Sequence, residues 1–96
     1  MSHEEAVRLV RDYMNDIRPP EHNWPAYWFK NHSYSVWVCE EILNKLEENP
    51  HVNPIDIIEK FVCELDYYST LSKTSEFRMI FSIARDIAED IGRMFL

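Results

Sequence analysis

One glycine, Gly92, stands in the whole 96-residue chain. A phosphate-cradling loop needs several, because backbone N–H groups must approach the anion with no Cβ in the way, so nucleotide-binding loops of that kind are excluded. Cysteine is nearly as scarce. Cys39 and Cys63 lie far apart and form no Cys-x-x-Cys pair, so they read as reduced thiols and not as the framework of a small disulfide scaffold. No run approaches the ~18 to 20 apolar residues of a membrane span. The opening MSHEEAVRL carries acids where a secretory signal has a basic segment and an apolar run, so no signal peptide is expected. Basic clusters are missing as well: 17 acidic side chains face 10 basic ones, a net charge of −7 that both halves share. Without a basic face, phosphate neutralisation has nothing to work with, and direct nucleic-acid binding is not expected. These absences together point to a soluble, cytoplasmic protein.

What is present is a globular composition, 46% hydrophobic and 28% charged, at a length that supports one core and one domain over residues 1–96. Four segments carry the helical period, and no segment alternates as a strand would. The first runs from about His3 to Ile17, opened by the capping box Ser2/Glu5 and closed by Pro19-Pro20. Ala6, Val7, Val10, Tyr13, Met14 and Ile17 share its buried face. The second runs from about Tyr34 to Glu48 on the row Val38, Ile42, Leu46. Asn53-Pro54, an N-cap followed by proline at the first helical position, starts the third, about Pro54 to Ser69. It is expected to bury Ile57, Ile58, Phe61, Val62, Leu65 and Tyr68, with Tyr67 outward. The fourth, about Ser75 to Phe95, has the widest stripe, from Phe77 through Ile80, Phe81, Ala84, Ile87, Ala88 and Ile91 to Met94 and Phe95. That breadth places it at the centre of a compact all-α bundle of four main helices.

The connection between the first two helices is unusual. Trp24, Tyr27, Trp28, Phe29, Tyr34 and Trp37 crowd into residues 22 to 41, including all three tryptophans of the chain. Residues 25–31 fit a short helical turn that folds back as a lid. At about 100° per residue, Trp37 points away from the Val38/Ile42/Leu46 row and sits among Glu40, Glu41 and Asn44. An indole on a polar face is either covered by another surface or exposed. Intramolecular cover by the 24–29 segment is one reading. The other is a surface for a partner protein or for a second copy, since interface hot spots favour tryptophan and tyrosine.

No catalytic constellation emerges. Asp86, Glu89 and Asp90 on one helix and Glu40 and Glu41 on another raise a small metal-dependent hydrolase, with carboxylates on facing helices. Against it, Arg85, Glu89 and Arg93 are spaced for an exposed salt-bridge column. His3, His22, His32 and His51 lack metal-ligand spacing. Glu47 and Glu48 at a helix C-terminus read as a solvated end. Cys39, two turns from His32, falls on the apolar stripe, where a thiol is packing. No cofactor or metal is expected. A third reading is acidic mimicry of nucleic acid, which the interspersed basic residues weaken.

The runs SYSVWVCEEILNKL, PIDIIEKFVCELDYYS and FSIARDIAEDI resemble small uncharacterised all-helical proteins of bacterial mobile elements, over roughly residues 33 to 91. That resemblance implies a bacterial accessory protein that works by contacting another protein, and it brings no activity, cofactor or catalytic residue. The reading reached is a non-catalytic protein-interaction or regulatory domain using the Trp24 to Trp37 surface.

Overall fold

The computed structural model describes the backbone of residues 1–16 and 26–96 and the side chains of 1–16 and 33–96. It is an all-α bundle: α1 is His3–Asp16, α2 Ala26–Glu48, α3 Pro54–Leu71 and α4 Ser75–Met94, with no strand among the described residues.

Local chemistry sets the helix ends. Ser2 Oγ accepts from the Glu5 amide at 3.1 Å, so the capping box opens α1. Asn53 Oδ1 accepts from the Ile55 amide at 3.0 Å, and Pro54, which has no N–H to satisfy, follows it. Thr74 Oγ1 accepts from the Phe77 amide at 3.3 Å and starts α4. At the other end of α3, the Ser72 amide and hydroxyl both donate to the Tyr68 carbonyl, at 3.0 and 2.7 Å. His3 Nε2 lies 2.9 Å from the Asn49 carbonyl, which ties the start of α1 to the end of α2.

The core follows the expected stripes. Ala6 and Val10 from α1 meet Val38, Cys39, Ile42 and Leu46 from α2. Ile57, Ile58, Phe61 and Leu65 from α3, and Ala84, Ala88, Ile91 and Phe95 from the α4 end, complete it. α2 and α4 each touch all three other helices, and the most extensive pairing is that of α4 with α3. Gly92 packs directly against α3, where an added Cβ would lie 2.9 Å from Ile58 Cγ2.

Three features depart from the sequence expectations. First, α2 begins at Ala26, eight residues before Tyr34, because AYWFKNHS contains neither glycine nor proline to interrupt it. On one continuous helix residues 28 and 37 stand roughly 13 Å apart along the axis, so 26–29 do not fold back over Trp37 as a lid. Ile17, the Pro19-Pro20 stop and Trp24 lie outside the described residues. Second, Phe77 is 55% exposed and Tyr68 51%, although both were expected inside, and Met94 is also exposed. The buried residues of α3 end at Leu65 and those of α4 begin at Ala84, so the turn joining the two helices projects beyond the core. Third, the Arg85/Glu89/Arg93 column does not form. Arg85 instead reaches across to Asp66 of α3 at 2.7 Å and to Asp86 at 3.5 Å, while Arg93 pairs with Asp90.

Two substitutions test this account of the fold. Asn53→Ala should lower stability by ~1 kcal/mol through loss of the cap, read as a shifted urea midpoint. Gly92→Ala would gain about 1 kcal/mol of helix propensity but force Ile58 aside at a cost of roughly 1 to 3 kcal/mol. The expected net is a loss, and a raised midpoint would show that the α3–α4 contact is slack.

Candidate interaction surfaces

Trp37 is the expected site residue whose side chain the structure leaves outward. Its neighbour Val38 is fully buried, as are Cys39 and Ile42, which fixes the inward face of α2. Set about 100° around the helix from Val38 and about 160° from Cys39, the indole points away from that face and is 38% exposed. Glu40 and Asn44 beside it are exposed, and Glu41 and Tyr34 are half-buried. Tyr27, Trp28 and Phe29 belong to the first turns of α2, but their side chains, and Trp24 altogether, lie outside the described residues.

A second apolar surface includes two residues that the sequence reading placed in the core, Tyr68 and Phe77, beside Tyr67, which it placed outward. Tyr67, Tyr68 and Leu71 at the end of α3 and Phe77 at the start of α4 are each more than half exposed. They form one patch. The Tyr68 ring lies 5.9 Å from that of Tyr67, edge-on, and 5.7 Å from that of Phe81. Leu71 follows Tyr67 and Tyr68 by four and three residues, and Phe77 precedes Phe81 by four, so each pair shares a helix ridge. The turn beneath is closed by polar bonds: Arg78 Nε donates to the Ser72 carbonyl at 2.8 Å, and Ser69 Oγ to the Arg78 carbonyl at 3.3 Å. The available signal was Tyr67 and Tyr68 before the run STLSKTS, Leu71 within it and Phe77 just after it, which a stripe alone does not distinguish from core.

Two grooves complete the surface. One of about 490 Å³ lies between α3 and α4 near their other ends, lined by Ile55, Ile58, Val62 and Gly92 with Glu59, Glu89 and the exposed Cys63. The other, of about 830 Å³ between α1 and α2, gathers Arg8, Arg11 and Asp12 with Glu47 from the last turn of α2. Lys45 spans α2 and α3, pairing with Glu64 at 3.4 Å and lying 5.0 Å over the Phe61 ring.

The carboxylates read as hydrolase candidates are scattered or engaged. Asp86 and Asp90 pair with Arg85 and Arg93, and among the described residues no group of three His, Cys, Asp or Glu side chains is placed to hold a metal ion. Burial pushes the Cys39 thiol up to about 11, and the nearby Glu40 charge adds to it. A thiol so shifted is protonated at neutral pH and is a poor nucleophile. Tyr13 is raised in the same sense, by burial first and then by the Cys39 and Asp90 charges. The His32 side chain lies outside the described residues. No helix among the described residues is long and apolar enough to cross a membrane. Comparison with protein-family models, curated proteins and solved structures gives no match.

The Cys39 shift has a definite sign. Its folded pKa of about 11 exceeds the ordinary 9.0, so the stability it contributes is complete below pH 9 and is lost as pH rises through about 11. Urea midpoints at pH 8 and pH 11 should therefore fall less in Cys39→Ala than in the unaltered protein. An equal fall would mean that Cys39 carries no raised pKa.

Proposed function

We propose that this chain is a non-catalytic protein-interaction or regulatory accessory domain of the bacterial cytoplasm, with its recognition face built around Trp37. The observation that carries the reading is an indole 38% exposed on the side of α2 that faces away from the core. Removing a large aromatic surface from water is among the strongest local contributions to binding, and tryptophan is enriched where that contribution concentrates. The acidic setting, Glu40 and Glu41 beside the ring, favours a partner that brings basic side chains to the rim. The protonated Cys39 and the arginine-bound Asp86 and Asp90 weigh toward recognition and away from catalysis. The resemblance to accessory proteins of bacterial mobile elements agrees with this role.

Trp37→Ala separates recognition from packing. A recognition residue should lose less than ~1 kcal/mol of stability on truncation. The same variant, immobilised beside the unaltered protein, should fail to capture a protein that the unaltered chain retains from a bacterial lysate. A destabilisation of roughly 3 to 5 kcal/mol, typical of a buried aromatic, or undiminished capture, would overturn the assignment.

A further inference from the structure

The groove of about 490 Å³ between α3 and α4 has an aliphatic floor of Ile55, Ile58, Val62 and Gly92, and Trp37 has no part in it. Three charged side chains line it: Glu59 from α3, Glu89 from α4, and Arg93 one turn after Glu89. Arg93 is paired with Asp90, so the groove has two carboxylates and no uncommitted cation of its own. The partners that helix spacing offers Glu89 stand four residues away on either side. Arg85, however, turns to Asp66 and Asp86, and Arg93 turns to Asp90. Glu89 is therefore half-buried beside apolar side chains with no ion pair or hydrogen bond to its carboxylate among the described residues. A carboxylate partly withdrawn from water favours a cation that can reach it, and Glu59 adds a second negative charge to the same groove.

The lining selects among occupants. A hard divalent ion seeks about six oxygen ligands, whereas this floor is aliphatic, and no group of three ligating side chains is placed for a metal among the described residues. A fatty anion would cover the floor but set its own carboxylate against Glu59 and Glu89. A neutral apolar molecule would leave both carboxylates without a counter-charge. An organic cation with an apolar body answers both parts of the lining. The volume also falls within the range of roughly 300 to 1,000 Å³ typical of small-molecule sites, which are mostly apolar with a few polar groups that orient the ligand. We propose that the α3–α4 groove is a binding site for a small amphiphilic ammonium compound, its apolar body on the Ile55, Ile58 and Val62 floor and its cationic head held by Glu59 and Glu89. Because the groove is open to solvent and ion pairs in contact with water contribute modestly, the dissociation constant belongs in the range of roughly 0.1 to 1 mM.

Titration of the full chain with octylammonium chloride, followed by amide NMR shifts, tests this. Saturable shifts are expected in residues 55–63 and 89–96. Octanoate and octanol, with the same apolar body, and spermidine and Mg²⁺, with charge but no such body, should each bind at least several-fold more weakly. Glu59→Gln combined with Glu89→Gln keeps the side-chain shape, should retain helicity by circular dichroism, and should weaken octylammonium binding roughly three- to tenfold. The exposed Cys63 lines the same groove, so its alkylation by iodoacetamide, located by peptide mass, should slow at saturating octylammonium. Equal binding of octanoate or octanol overturns the proposal, as does equal binding of spermidine or Mg²⁺, or unchanged affinity in the double variant. Absence of saturation, shifts centred outside the groove, or groove shifts that appear on concentrating the protein alone, which would put a second copy there, overturn it as well.

Discussion

α3 and α4 lie as close as they do because position 92 carries no side chain. Ile58 Cγ2 occupies the space that a Cβ would need, and the rest of the arrangement is built outward from that contact. With the two helices held together there, Ile57, Ile58, Phe61 and Leu65 can interlock with Ala84, Ala88 and Ile91 into one sheet of apolar side chains. α2 crosses that layer through Val38, Ile42 and Leu46, and α1 closes over it with Ala6 and Val10. The one glycine of the chain is thus spent on helix packing and not on a loop. Ala84, Ala88 and Gly92, four apart, put small residues along the face of α4 that makes the most extensive helix pairing of the fold, with α3.

Most of that architecture was legible before any coordinates. Capping chemistry is local, so Ser2/Glu5 and Asn53-Pro54 announced their helix starts reliably. The stripes of α3 and α4 named nearly every core residue. The start of α2 was misplaced because aromatic density and a preceding proline look like a loop, whereas a helix needs only the absence of breakers to propagate. Periodicity shows which side of a helix is apolar, but not how far along that side a neighbour extends. Phe77 and Tyr68 therefore read as core and are surface. The outward direction of Trp37 followed from angular position, because burial on one face of α2 defines the other. Its exposure did not, since cover by the preceding segment was the competing reading. The patch at the α3–α4 turn did not, since it depends on where the covering layer ends.

The charged side chains show a related limit. Four-residue spacing made Arg85, Glu89 and Arg93 appear as a column on one helix. Tertiary structure offered Arg85 a better partner in Asp66, and a cross-helix bond at 2.7 Å, still partly exposed, adds orientation more than stability. Such pairs orient α3 on α4 on one side, while Lys45 with Glu64 and Phe61 does the same for α2 on α3. The surface that results mixes signs, at the hairpin as in the α1–α2 groove with Arg8 and Arg11, a distribution no total charge reveals.

The polar closure of the α3–α4 turn also bears on how the chain assembles. Ser72 with Tyr68, Arg78 with Ser72, and Ser69 with Arg78 are all bonds between residues fewer than ten positions apart. Bringing such near neighbours together forfeits little loop entropy, and the two helices they join then zip along their length without a further search. α1 and α2, by contrast, are joined through residues 17–25 and meet across 46 positions at His3 and Asn49. In chain-entropy terms the C-terminal hairpin is the natural nucleus, and the N-terminal half is the part that arrives on a surface already made.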